Sequence, residues 1–390
     1  MIPYGRQNIS EEDIDAVIRI LRSEYLTQGP EVPQFEEDIA NYCSVEFAVA
    51  SNSATSSLHL ACLALGVGPG DYVWTSSITF VASANCARFC GAEVDLVDIN
   101  PKTFNMCVEN LEERLSIANR NGKLPKVIIP VHMAGQACEM EKIKLLADNY
   151  GVKVIEDASH AIGGSYKGLH IGSCKYSDIT VFSFHPVKII TSGEGGIAVT
   201  NNQELAAKMA LLRSHGITRD PASMRNSHAG PWYYEQLELG FNYRLTDIAA
   251  ALGRSQLKRI DNFVRQRHEI ADRYDKLFAD TDIKVPFRDP DAHSSFHLYV
   301  VQPDLRSLRT SQNELFDRLR SQGILANLHY IPIYRHPYYQ NLGLSASEYP
   351  NSEAYYATAI TLPIYPGLKA EEQEYIMRTL VTPIGRQTLF

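Results

Sequence analysis

Between Phe47 and Thr200 the chain repeats one theme: a short apolar run, an amphipathic stretch with helical spacing, then another apolar run. The strand candidates are Phe47–Ala50, Tyr72–Ser76, Glu93–Asp98, Lys126–Val131, Lys153–Glu156, Ile179–Ser183 and Gly196–Thr200. Helical patterns occupy Ser56–Leu65, Val81–Cys90, Leu111–Asn119 and Met140–Tyr150. Parallel strands need crossover connections and are buried on both faces, so the alternation predicts βαβ units in a mostly parallel sheet between helices. The last two runs have no helical pattern between them, which leaves the final strand free to pair antiparallel.

Downstream, the apolar spacing of Ile248, Ala249, Leu252, Leu257, Ile260 and Phe263 predicts one long helix from Thr246 to about Phe278. Phe296–Gln302 and Ile324–Leu328 follow as strands, with a helix over Gln312–Gln322 stopped by Gly323. A further helix, about Glu11–Arg22, can pack with either half. The expected division is an N-terminal arm and helix (1–25), a large α/β domain (26–247), and the linking helix with a smaller α+β domain (248–390).

Composition removes several function classes. The formal net charge is −8 and no helix-turn-helix or RNA-binding motif appears, which disfavours a nucleic-acid partner. No run of about 18 apolar residues exists to span a bilayer. The opening MIPYGRQNISEED lacks the apolar core of a secretory signal, so the expected location is cytoplasmic. Seven cysteines (Cys43, Cys62, Cys86, Cys90, Cys107, Cys138 and Cys174) are odd in number and form no C-x-x-C pair. They read as free thiols, and neither they nor the histidines show metal-binding spacing, so no metal is expected.

Four segments carry candidate chemistry. Asn52-Ser53-Ala54-Thr55-Ser56-Ser57 joins a strand to a helix, where small residues and unpaired N–H groups suit an anion or simply cap the helix. Val154-Ile155-Glu156-Asp157-Ala158-Ser159-His160 ends an apolar strand in acid, at the edge where open α/β sheets place ligands. An Asp there can hold a protonated ring nitrogen or cap a helix. In Val181-Phe182-Ser183-Phe184-His185-Pro186-Val187-Lys188 a lysine follows an apolar stretch; burial lowers such an amine and fits it for Schiff-base chemistry, unless it snorkels to solvent. Gly240-Phe241-Asn242-Tyr243-Arg244-Leu245-Thr246-Asp247 precedes the long helix, whose start Thr246 can cap.

Together with GPGDYV, TFVASAN and GEGG, these strings occur in the order found in the DegT/DnrJ/EryC1/StrS sugar aminotransferases, and the chain resembles that family from Ile2 to beyond Tyr334. The resemblance implies a fold-type I enzyme with a seven-stranded large domain. It implies pyridoxal 5′-phosphate as cofactor, with pyridoxamine phosphate as its aminated form. IPYGRQ, SEYLTQGP and SFHPVKIITSGEGG look most similar to the branch that moves the amino group of L-glutamate to C4 of a UDP-4-keto-6-deoxy-N-acetylhexosamine in pseudaminic acid biosynthesis. On this resemblance Lys188 holds the cofactor and moves a proton, Asp157 pairs with its ring nitrogen and His160 lies near its ring hydroxyl. Phe80 stacks on the ring, and Ala54, Thr55 and Ser183 cradle the phosphate. Asn242 reaches the phosphate of a neighbouring subunit, which implies a homodimer. Tyr4, Glu24, Tyr25, Leu26, Thr27, Arg244, His329, Tyr330 and Tyr334 match positions lining the sugar site.

Three alternatives stay open on the sequence. The acceptor can be another nucleotide-linked keto-sugar. Some family members are dehydratases with histidine in place of the lysine; Lys188 argues against that here. A non-catalytic sugar-binding relative has no need of a lysine opposite a carboxylate. Arg213–Arg225, locally basic, reads as a solvated loop or a cover over the site, and Trp232-Tyr233-Tyr234 as a subunit contact or a sugar platform.

Overall fold

The computed structural model describes residues 1–225 and 230–382. The seven runs form one sheet. Its strands are β1 (Phe47–Ser51), β2 (Tyr72–Ser76), β3 (Glu93–Val97), β4 (Val127–Ile129), β5 (Lys153–Asp157), β6 (Ile179–Ser183) and β7 (Gly196–Thr200). Their order across the sheet is β1-β7-β6-β5-β4-β2-β3. Strands β2 to β6 pair in parallel, while β7 runs antiparallel to both β6 and β1. The helix-free link before Gly196 left that return open, and the structure uses it. Apolar cores cover both faces, one around Phe182, Ile128 and Val154 and one around Val181, Ile155 and Ile129.

The helices preceding and crossing over the sheet are α1 (Glu11–Leu21), α2 (Glu31–Cys43), α3 (Ala54–Ala64), α4 (Ala82–Phe89), α5 (Val108–Arg120), α6 (Met140–Tyr150) and α7 (Gln203–Arg213). Helix α3 starts two residues before its expected position because Ser53 caps it, accepting the Ser56 N–H at 3.2 Å. The expected long helix from Thr246 is two helices, α8 (Asp247–Leu257) and α9 (Ile260–Phe278), and that expectation is corrected. Apolar spacing continues across the join, but Arg259 (φ −112°, ψ 5°) leaves helical geometry there. Its guanidinium pairs with Asp13 of α1, so α1 packs on α8.

A third core gathers α9 with strands β8 (Ile283–Lys284), β9 (Tyr299–Pro303) and β10 (Ile360–Leu362), an antiparallel trio in the order β8-β9-β10. Helices α10 (Gln312–Ser321) and α11 (Ala370–Val381) pack beside it. The strand expected over Ile324–Leu328 is only Ile324–Leu325, paired in parallel with Ile2–Pro3. Beyond it Asn327 makes an isolated antiparallel bridge to Thr361 of β10, and Ile333 then donates its N–H to the Ser77 carbonyl of the large domain at 3.0 Å. Among the described residues no helix is long and apolar enough to cross a membrane.

Arg213–Arg225 is tied down at its start, and beyond Thr218 it is a largely exposed turn, as a solvated loop would be. Arg213 pairs with Glu36 and donates to the Ala50 carbonyl at 2.6 Å, and Ile217–Thr218 pairs with Glu235–Gln236.

The start of α2 and the residues before it are capped by one carboxylate. Asp247, buried at the start of α8, accepts backbone N–H groups from Gly29 (2.7 Å), Glu31 (2.9 Å) and Val32 (3.2 Å). Each donor left without an acceptor costs roughly 1–3 kcal/mol. Asp247→Ala is therefore expected to lower the thermal unfolding midpoint by several degrees, with α2 and the segment before it the first to gain amide hydrogen exchange.

Candidate active site

The carboxyl ends of β5 and β6 open onto a cavity of about 460 Å³. Asp157 ends β5, Ser183 ends β6, and Phe80 follows β2 just before α4. The start of α3 supplies Ala54 and Thr55, the loop after β6 supplies Lys188, and the segment beyond Leu325 supplies His329 and Tyr330. Tyr4 closes one side, with its ring 4.9 Å from that of His329. Ten of the expected residues thus share one cavity: Tyr4, Ala54, Thr55, Phe80, Asp157, His160, Ser183, Lys188, His329 and Tyr330.

Asp157 is 4% exposed and held from two sides. Ser83 Oγ donates to its Oδ2 at 2.6 Å and the Ser159 N–H to its Oδ1 at 3.1 Å. A serine has one hydroxyl proton; with it on the carboxylate, Thr79 Oγ1 donates to Ser83 Oγ at 2.7 Å. Behind the strand, burial alone would raise the neighbouring Glu156 carboxyl. Hydrogen bonds from His132, Ser177 and Thr180 outweigh that and hold it below its ordinary value.

Lys188 turns its amine into the cavity. Burial pushes that amine down to about 8, against a partial upward pull from the Asp157 charge. Its recorded side-chain partner is His297, with Nζ and Nε2 3.5 Å apart. His160 shares a hydrogen bond with the Tyr330 hydroxyl (2.9 Å). Burial, then the nearby Lys188 amine, holds its ring well below the usual histidine range, so it is neutral. His329 is likewise pushed down to about 3 by burial and Lys188, and its Nδ1 lies 3.0 Å from Thr361 Oγ1.

The remaining expected residues lie outside this cavity's lining. Tyr334 is corrected: it is 1% exposed, stacks on Tyr349 at 4.6 Å and donates to Glu353 at 2.8 Å, so it packs a loop. Glu24, Tyr25, Leu26 and Thr27 form an exposed turn beside α8, where Thr27 bridges to Thr246. Asn242 is exposed on a bridge to Ser214, and Arg244 follows it. Trp232, 74% exposed, is also off the cavity.

Sequence reasoning missed Ser83, Thr79 and His297. Ser83 and Thr79 sit inside the TFVASAN string as ordinary small polar residues. His297 left a signal, an ionisable side chain at the head of the apolar run Phe296–Gln302, but nothing in the sequence said what it faced.

The sequence matches the DegT/DnrJ/EryC1/StrS aminotransferase family over residues 7–381, and the chain belongs to that family. It is 39% identical to the UDP-4-amino-4,6-dideoxy-N-acetyl-beta-L-altrosamine transaminase of Campylobacter jejuni (serotype O:23/36), over 97% of this chain and 96% of that protein. Among solved structures it is similar to the putative sugar aminotransferase Spr1654 of Streptococcus pneumoniae, determined in pyridoxal (PLP) and pyridoxamine (PMP) forms. The PMP form is 32% identical, covers 98% of both chains and has a TM-score of 0.88. It is also similar to Helicobacter pylori PseC, described as an aminotransferase involved in the biosynthesis of pseudoaminic acid. That protein is 31% identical, with 97% of this chain and 98% of that one covered and a TM-score of 0.88. This protein is a fold-type I sugar aminotransferase, and its cofactor is pyridoxal 5′-phosphate.

The cavity fits that cofactor on its own evidence. A side chain on Gly196 would place Cβ 2.3 Å from the Ala54 nitrogen, so only glycine lets β7 approach the start of α3. The N–H groups of Ala54 and Thr55 belong to the first turn, which a helix leaves unpaired and which favours a phosphate. Phe80 keeps 57% of its surface exposed at the cavity edge, an aromatic face free for a planar ring.

The depressed Lys188 amine sets a pH signature. In the native state it titrates near 8, in the unfolded chain near 10.5. Between those values the unfolded state binds more protons, so this group's contribution makes the protein more stable as pH rises from 8 toward 10.5. Competitive acylation of the apoprotein should titrate Lys188 near pH 8. Asp157→Asn, which removes the charge that raises the amine, should move that midpoint lower still.

Proposed function

We propose that the enzyme transfers the amino group of L-glutamate to C4 of a UDP-4-keto-6-deoxy-N-acetylhexosamine. The product would be UDP-4-amino-4,6-dideoxy-N-acetyl-β-L-altrosamine, on the route to pseudaminic acid. The observation that carries the chemistry is the buried, depressed amine of Lys188 in the same cavity as the fixed carboxylate of Asp157. What supports the acceptor is the likeness to the C. jejuni altrosamine transaminase and to PseC along nearly the whole chain.

Pyridoxal phosphate, when bound, supplies an electron sink that makes the proton on the donor's α-carbon removable. Asp157 is the carboxylate that keeps a ring nitrogen protonated, and Ser83 and Ser159 hold it in one orientation. Lys188 Nζ is the group that anchors the cofactor and, once released, takes up and returns the α-proton; a value near 8 suits both acts close to neutral pH. Ser183, Ala54 and Thr55 would bind the phosphate, and Phe80 would cover one face of the ring. His160 stays neutral beside Tyr330 and serves the ring hydroxyl by hydrogen bonding. Tyr4, His329 and Tyr330 border the space for the sugar.

Asn242, exposed and away from its own chain's cavity, completes the phosphate site of a neighbouring subunit in a homodimer. Arg244 and Glu24–Thr27 contribute to the sugar site.

The holoenzyme should show a visible absorbance band that L-glutamate shifts and that Lys188→Ala loses. Adding the UDP-4-keto sugar to the glutamate-treated protein should restore the band and yield the 4-amino sugar. A band indifferent to glutamate would sink the donor; turnover only with another nucleotide's keto-sugar would sink the acceptor. Mixing inactive Lys188→Ala and Asn242→Ala protomers should recover about a quarter of wild-type activity, since half the dimers are hybrids with one intact site. No recovery would overturn the shared site.

A further inference from the structure

His297 has no role in the chemistry described so far, yet it is the side chain that meets the Lys188 amine. It is 4% exposed, and its ring centroid lies 4.4 Å from that of His160. Its backbone is tightly held. Arg267, itself 1% exposed, reaches the carbonyls of Phe296 (3.0 Å), His297 (3.3 Å) and Ile364 (3.0 Å) through Nη1. On the other side Ser295 Oγ donates to the His160 carbonyl at 2.6 Å, and the Ser295 N–H to Gly135 O at 3.1 Å. Gly135 has φ +102°, and a Cβ there would lie 2.3 Å from Ser295 Oγ, so the close approach requires glycine. The imidazole is thus set in place from both halves of the chain.

Resting on the reading that Lys188 is the catalytic amine, we propose that His297 is its positioning residue. Its Nε2 accepts a hydrogen bond from Nζ whenever that amine is free of the cofactor, and so keeps the amine aimed for proton transfer. A released lysine has several rotatable bonds, and ordering such a side chain costs conformational entropy. A fixed acceptor removes that freedom while the amine waits.

The acceptor role needs a neutral ring with Nε2 bare. The groups facing this pair are Asp157, His160, His329 and Arg267. For His297, burial is the largest influence; the Lys188 amine, His160, Arg267 and His329 add to it, and all hold the ring well below the usual histidine range. The role requires the tautomer with the proton on Nδ1, which is buried without a partner among the described residues, and leaves Nε2 to accept from Nζ.

The test compares His297→Leu, which removes the acceptor, with His297→Gln, which keeps one at the position of Nε2. Accepting from the ammonium favours the charged amine, so its loss lowers the Lys188 midpoint. Competitive acylation of the apoprotein should show that midpoint falling by about one pH unit in the Leu variant and returning close to wild type in the Gln variant. In the holoenzyme kcat should drop at least ~10-fold for Leu, with KM for glutamate within about twofold, and Gln should recover most of it. If the Leu variant does not fold, His297→Phe, which keeps a ring against His160, replaces it. Leu and Gln variants that behave alike, or a Leu variant that titrates as wild type, would overturn the proposal. The titration uses apoprotein and stands apart from the catalytic reading, whose own failure would appear as turnover surviving Lys188→Ala.

Discussion

Everything at the centre of this molecule is arranged around an amine kept out of water. Burying Lys188 disfavours its ammonium form, and that cost is what gives the amine its reactivity. The groups nearby follow from it. The Asp157 charge pulls the amine's value back up, while His160, His297 and His329 are all held neutral by burial and by the same lysine. Burial first, and the lysine's charge second, set the protonation state of three imidazoles. None of them can act as a fixed positive charge there; each offers instead a hydrogen bond or a flat face.

The framework that permits this is a sheet whose carboxyl ends converge on one crevice. Asp157 and Ser183 are adjacent in space because β5 and β6 are parallel neighbours, although the loop and turns between them are long in sequence. The antiparallel return of β7 brings Gly196 against the start of α3, so the strand that joins β1 to the parallel strands also shapes the anion cradle. The other wall comes from the segment after Ile324–Leu325, which leaves its short strand to place His329 and Tyr330 over the crevice.

The large sheet was legible in the sequence because fully buried strands leave continuous apolar runs, and Tyr72–Ser76, Ile179–Ser183 and Gly196–Thr200 are found at those bounds. The helix over Met140–Tyr150 is found at its expected bounds, while α3 starts two residues early because, of several serines and threonines able to cap it, Ser53 does so. The break at Lys258–Arg259 was invisible because apolar periodicity runs across it; an ion pair with Asp13, far off in sequence, accompanies the bend. In the site, residues within strong strings were legible: Asp157, Ser183 and Lys188. Ser83 and His297 were not, since their meaning lies in a partner 74 residues away for one and 109 for the other. Tyr334 shows the reverse error. A tyrosine near the site in sequence satisfied its hydroxyl on Glu353 and turned inward.

The fastening of α2 by Asp247 has a consequence for the order in which the protein can be made. The carboxylate lies 215 to 218 residues downstream of the three N–H groups it caps. Translation adds ~5–20 residues per second, so roughly 10–40 s pass between synthesis of those donors and arrival of their acceptor. The parallel pairing of Ile2–Pro3 with Ile324–Leu325 waits longer still. Segments made early are thus among the last to be fixed, and for that interval the nascent chain carries them without their final partners.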